Sequence, residues 1–175
     1  SQWNGPSWPY QSSQVLTGMA NLLNNYTQSI ITKPDYIKLL RLYSQQHFLP
    51  DDRINLVENY DPNLGGPIVY YYWSNHYNHS SFNNLVITGL CGLRPSDNDT
   101  LAINPLIDDS IQYFCLDDVI YHGHKLAIVY DKNGNKYNIG KGISVFIDGK
   151  RTTLLQAKDK YEVIVGDPVL IPSAK

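Results

Sequence analysis

Apolar positions recur at helical spacing through the first half of the chain and at strand-like spacing through the second. Val15, Leu16, Met19, Ala20, Leu22 and Leu23 form a stripe at three- and four-residue intervals, which predicts a helix capped by Ser12 or Ser13. A second helix is predicted from Thr32-Lys33-Pro34-Asp35, a capping-box pattern with Pro34 near the first helical position, and it carries Tyr36, Ile37, Leu39, Leu40 and Tyr43. From about Leu49 to Tyr77 the periodicity is lost. That segment is rich in Pro, Gly, Asn and Tyr, and irregular stretches of such length are usually functional loops or disorder. Its aromatics, Tyr60, Tyr70, Tyr71, Tyr72, Trp73 and Tyr77, argue against disorder. A third helix, capped near Ser80 or Ser81 and bearing Phe82, Leu85, Val86, Leu90 and Leu93, is expected to end at Arg94-Pro95.

After Pro95 the pattern shortens. Leu101–Ile103, Val119–Tyr121, Leu126–Tyr130, Ile143–Ile147 and Tyr161–Val165 read as strands. Asn133-Gly134 predicts a two-residue hairpin turn between Ala127–Tyr130 and Lys136–Ile139, and Asp148-Gly149 a second turn. Strands at this spacing imply a β-sandwich. The expected organisation is α+β: residues 1–97 helical and 98–175 an all-β antiparallel sandwich. Three helices are too few to bury their own stripes, so the helical part is expected to complete a larger array.

Composition narrows the function classes. The chain has 175 residues, of which 42% are hydrophobic and 17% charged, the latter below the usual quarter. The difference is made up by Asn, Ser, Gln and 14 Tyr. With a net charge of -2 and no basic block, a nucleic-acid partner is not expected. No run of eighteen apolar residues predicts a membrane span. The opening Ser1-Gln2-Trp3 lacks a signal-peptide pattern and reads as the middle of a domain, so upstream chain is expected. The sequons Asn25-Tyr26-Thr27, Asn78-His79-Ser80 and Asn98-Asp99-Thr100 point to a secreted or extracytoplasmic glycoprotein. Cys91 and Cys115 both lie in apolar surroundings and read as buried free thiols, with a disulfide between them as the other option.

The candidate chemistry centres on Glu58, in Ile54-Asn55-Leu56-Val57-Glu58-Asn59-Tyr60-Asp61-Pro62-Asn63-Leu64-Gly65. A second aromatic cluster, Trp3-Asn4-Gly5-Pro6-Ser7-Trp8-Pro9-Tyr10, lies about fifty residues earlier. Aromatic faces stack on the C–H faces of pyranose rings, and a carboxylate among them can activate water. Capping a loop is the alternative for Glu58. Asp51 and Asp52 read as loop residues and Asp61 as the residue that fixes the turn before Pro62. His76-x-x-His79 and His122-x-His124 have metal-ligand spacing, but the pairs fall in different predicted domains, and no metal or other cofactor is expected. In Tyr70-Tyr71-Tyr72-Trp73, core packing and a substrate platform are equally open.

These motifs resemble the C-terminal part of an (α/α)6-barrel glycoside hydrolase. The closest group is the clan of the family 63 processing α-glucosidases and the mannosylglycerate hydrolases, whose last barrel helices carry Trp-x-Gly-Pro-x-Trp and Glu-Asn-Tyr-x-Pro-x-x-Gly elements. Leu101–Leu106 together with Tyr121–His124 resembles the β-sandwich that follows the barrel. The resemblance implies the last helices of an (α/α)6 toroid and an inverting, exo-acting hydrolysis of an oligosaccharide or glycoside. Glu58 would be the general base, and the general acid an Asp on an upstream segment. It also implies a glycone pocket drawn from Trp3, Asn4, Gly5, Trp8, Tyr60 and His79. Many members of the clan have Arg where this chain has Asn4, which bears on the substrate. A non-catalytic carbohydrate-binding or structural module is the reading from another class.

Overall fold

The structure is a computed structural model that describes residues 4–69, 72–77, 80–98, 100–155, 161–164 and 170–172. The chain divides into two compact units, residues 1–85 and 86–175. The sequence places the division at 97/98; the strand Leu93–Arg94 pairs with Thr100–Ile103 and lies in the second of these units.

In the first unit, α1 spans Pro9–Asn25 and α2 spans Lys33–Gln45. α1 begins earlier than Ser12, because Pro9 takes the first turn with its ring pre-set for helix, and Ser12 N–H already donates to the Trp8 carbonyl at 2.9 Å. Ser13, Leu16 and Ala20 form its buried face. Val15, expected on that stripe, is 56% exposed. α2 starts where the capping box predicts. Thr32 N–H donates to Asp35 Oδ2 at 2.9 Å, and Asp35 N–H returns a bond to Thr32 Oγ1 at 3.4 Å. Its buried residues Tyr36, Ile37, Leu40 and Tyr43 follow the helical repeat, and burying Ile37 alone contributes about 1.5–3 kcal/mol. The Tyr36 hydroxyl, fully buried, donates to the Leu85 carbonyl at 2.8 Å, which gives the polar tip of a core side chain its partner. α3 is short, Ser81–Asn84, and passes into a π-helical turn over Leu85–Leu90, so the third helix stops before Leu93.

Among the described residues the second unit holds eight strands in two antiparallel sheets: β1 Leu93–Arg94, β2 Thr100–Ile103, β7 Tyr161–Ile164 and β8 Leu170–Pro172 in one; β3 Tyr113–Tyr121, β4 His124–Asp131, β5 Gly142–Ile147 and β6 Lys150–Leu155 in the other. Leu101 and Ile103 of the first sheet share one core with Leu126, Ile128, Tyr130, Ile143, Val145 and Ile147 of the second. β3–β4 and β5–β6 turn through His122-Gly123 and Asp148-Gly149, and all four turn residues have positive φ, as two-residue hairpins demand.

Gly92 is fixed by its surroundings. At φ +77 its missing Cβ would stand 2.2 Å from Asn104 C and from Pro105 N. The expected strand over Lys136–Ile139 does not form. β4 pairs instead with β5, because the buried Asp131 carboxylate gathers the N–H groups of Asn133 (3.3 Å), Gly134 (2.8 Å), Lys136 (2.7 Å) and Tyr137 (2.9 Å) and coils the intervening chain into a loop. Cys91 is buried and free, with burial pushing its thiol up to about 12; Cys115 is free and exposed, where the sequence reading had it buried. Among the described residues no helix is long and apolar enough to cross a membrane.

Candidate functional site

Glu58 sits at a bend between two fully buried neighbours, Val57 and Asn59, and is itself half-buried. The bend is closed from inside by Tyr60. Its hydroxyl accepts the Val57 N–H at 3.1 Å and donates to the Asn55 carbonyl at 3.0 Å. Tyr60 is only 1% exposed, so its ring has no face to offer a sugar; expected in the glycone pocket, it instead braces the loop that presents Glu58. Behind it, His47 packs edge-on at 5.2 Å, and the His47 carbonyl accepts the Asn55 N–H at 2.8 Å. Burial lowers the His47 imidazole from its ordinary value, and its Nδ1–H donates to the Tyr43 carbonyl at 2.8 Å.

Two short bridges attach flanking segments to the bend. Ser7 and Tyr60 exchange both backbone hydrogen bonds, at 2.8 and 2.9 Å, and so join the N-terminal aromatic segment to the Glu58 motif across fifty residues of sequence. On that segment Asn4 and Gly5 are exposed, and Trp8 is half-buried at the head of α1. On the other side Val57 bridges to Asn75, with Tyr77 N–H donating to the Leu56 carbonyl at 2.8 Å. This second arm carries Tyr72 and Trp73 on a short 3-10 turn, 88% and 52% exposed. Such exposure favours a platform over core packing for these two residues of the aromatic run. Trp3, Tyr70, Tyr71, Asn78 and His79 lie outside the described residues.

Two of the other carboxylates near Glu58 in sequence, Asp61 and Asp51, have structural partners. Asp61 accepts the Asn63 and Leu64 N–H groups at 2.8 and 2.9 Å, bonds that lower its carboxyl and fix the turn as the sequence suggests. Asp51 is held by Arg53 at 2.7 Å in an exposed pair. Among the described residues no ion pair or hydrogen bond engages the Glu58 carboxylate. Nor do the described residues contain a group of three or more His, Cys, Asp or Glu able to hold a metal. In the second unit His124 Nδ1 hydrogen-bonds Asp148 Oδ2 at 2.7 Å across the hairpin ends.

A cleft of about 620 Å³ lies next to this region in the same unit, between the C-terminal half of α2, the Phe48–Pro50 segment and the Asp61–Gly66 turn. A smaller cavity of about 320 Å³ opens around His47, Phe48, Leu56 and Phe82. Tyr43 lies on both walls, and Glu58 on neither. No sequence signal marks the larger cleft, because its walls come from three separated segments.

Comparison with known proteins gives this geometry a family setting. Residues 1–80 match the model of the mannosylglycerate hydrolase MGH1-like glycoside hydrolase domain. Residues 93–154 match that of the glycosyl hydrolase family 65 C-terminal domain. A solved structure titled "Sialidase" is 41% identical, with a TM-score of 0.82 over 91% of this chain; the chain spans 15% of that protein's length. A stretch similar to an MGH1-like hydrolase domain is therefore followed by one similar to a family 65 C-terminal domain, and the chain resembles the C-terminal part of a glycoside hydrolase.

Proposed function

We propose that this chain is the C-terminal portion of an inverting, exo-acting glycoside hydrolase, with residues 1–80 contributing the last helices of an (α/α)6 toroid and Glu58 acting as general base. The carboxylate takes a proton from water as the water oxygen attacks the anomeric carbon. The glycosidic C–O bond breaks, and the leaving oxygen is protonated by an acid on another segment of the same polypeptide. In such a pair the two carboxyl groups stand roughly 6.5–9.5 Å apart, leaving room for the water. Trp3, Asn4, Gly5, Trp8 and His79 belong to the glycone side of this reading, and Tyr60 holds the base in position. The β-sandwich is structural. Exposure of Asn25 and Asn98 suits glycosylation and an extracytoplasmic location.

The supporting observation is the paired hydrogen bonding of Ser7 with Tyr60. It sets an aromatic segment directly beside a bend whose carboxylate has no structural partner among the described residues. The test is Glu58→Gln in the complete polypeptide, with the anomeric configuration of the first product followed by NMR. Loss of about 10²–10⁴-fold in kcat with folding intact is expected for removal of a general base. Near-full activity rejects the assignment. A product of retained configuration rejects inversion while leaving hydrolysis in place. Glycan binding by the complete polypeptide without any hydrolysis favours a binding module.

A further inference from the structure

We propose that Tyr72, with Trp73 beside it, is a stacking platform for the sugar unit on the leaving-group side of the scissile bond. The proposal rests on the reading of Glu58 as the general base of an exo-acting hydrolase and adds a subsite to it.

The platform stands on a braced arm. Tyr72–Ser74 form a single 3-10 turn. Ser74 at its end is fully buried, and its hydroxyl donates to the Val69 carbonyl at 3.1 Å, tying the turn to the chain before it. The Asn75 N–H donates to the Tyr72 carbonyl at 3.3 Å. Beyond the turn, the Val57–Asn75 bridge and the Tyr77 N–H bond to the Leu56 carbonyl, at 2.8 Å, join the arm to the Glu58 bend. His76 between them takes a φ of 61, a backbone conformation uncommon for a residue with a Cβ. The arm is thus tied on both sides of the turn, while Tyr72 stays 88% exposed and Trp73 52%. A slack loop could fold such rings back onto nearby apolar surface and out of water; this one is held away from it.

Two arms reach the bend, one at each end. The N-terminal aromatic segment pairs through Ser7 with Tyr60, and the Tyr72 arm pairs through Asn75 with Val57, so Glu58 and Asn59 lie between the two attachments. On the proposed reading the N-terminal arm supplies the glycone side. An exo-acting enzyme holds one terminal sugar there, so every further unit of the substrate lies across the scissile bond. Tyr72 has the chemistry for that unit: an apolar face for the C–H face of a pyranose, and a hydroxyl at the ring edge for a sugar hydroxyl. No Lys, Arg, Asp or Glu occurs within residues 72–77, so the arm selects for a ring face with hydroxyls rather than for charge.

The test compares leaving groups in the complete polypeptide. A disaccharide carries a sugar into this subsite, whereas a glycosyl fluoride does not, since fluoride is its whole leaving group. Maltose, cellobiose, lactose and α-1,2-mannobiose are the probes, each paired with the glycosyl fluoride of the same terminal sugar and configuration. In Tyr72→Ala, kcat/KM for the hydrolysed disaccharide is expected to fall about tenfold more than kcat/KM for its fluoride. Tyr72→Phe, which keeps the ring face, is expected to retain most of the disaccharide rate. Should Tyr72→Ala fail to fold, Tyr72→Leu keeps much of the volume, loses the aromatic face and gives the same comparison. Equal losses on disaccharide and fluoride overturn the proposal, and a lowered Tm alongside them assigns Tyr72 to packing on another segment. Where no disaccharide is turned over, hydrogen exchange of the Glu58→Gln polypeptide with the same four sugars reads binding. Protection of peptides covering residues 72–77 then supports the platform, and its absence overturns it. Near-full activity of Glu58→Gln rejects the general base but leaves the leaving-group comparison at Tyr72 readable, so the two failures are told apart.

Discussion

The Tyr60 hydroxyl receives the Val57 N–H at 3.1 Å across the bend that carries Glu58. A ring that is 1% exposed thereby controls the backbone of a half-buried carboxylate without touching what that carboxylate would act on. Tyr60→Phe keeps the ring and its contact with His47 but leaves a buried amide and the Asn55 carbonyl without their partner. The expected cost is about 1–3 kcal/mol in urea unfolding, with a fall in kcat of the complete polypeptide. A variant as stable and as active as the parent would show that the bend holds its shape unaided.

Trp73 poses the opposite case. It is 52% exposed on the arm bridged to Val57, so part of the indole is open to a ligand while the rest is packed. Trp73→Ala should cost about 1 kcal/mol, the size of an average substitution, and raise KM for the glycoside, with kcat less affected. A large loss of stability with KM unchanged would assign the indole to packing.

The parts of the fold that were readable in the sequence are those set by local chemistry. Thr32, Pro34 and Asp35 define the start of α2 because a cap is made by residues within one turn of one another. Asp148-Gly149 specifies its hairpin because the backbone there must take positive φ. Asn133-Gly134 misleads for a reason that lies outside the dipeptide: Asp131 collects amides from both sides of Gly134, and a loop wins over a strand. At the site, residue type was legible and direction was not. An aromatic two positions from a carboxylate reads the same whether its ring faces a sugar or the core, and only packing makes Tyr60 internal. The cleft at Tyr43 was hidden altogether, since Leu42, Pro50 and Leu64 converge only in the folded chain.

Gly92 tests the second unit. Alanine there would set its Cβ against Asn104 and Pro105 backbone, which cannot move aside as a side-chain tip could, and at φ +77 besides. Gly92→Ala should destabilise well beyond the roughly 1 kcal/mol of an average substitution. Gly123→Ala is the control: its φ is +82, but nothing lies within 4 Å of the added methyl. Equal thermal shifts in the two variants would mean that backbone conformation, and not the close approach, sets the cost at Gly92.

Asp131 gives a pH-dependent prediction whose sign follows from its surroundings. Burial raises its carboxyl, but the amides of Tyr137, Gly134, Lys136 and Asn133 outweigh that and hold it below the ordinary carboxylate value. A carboxyl depressed in the folded state binds its proton less readily there than in the unfolded chain. Its contribution to stability is therefore complete above the unfolded value, about 3.9, and is lost as pH falls through the lower folded value. Asp131→Asn removes the charge and offers one oxygen where two now accept. The variant should melt below the parent at neutral pH, and the gap in Tm should narrow as the parent is acidified below the unfolded value. A gap that stays constant from neutral to acid pH would mean that the loop is held by shape rather than by the ionised carboxylate.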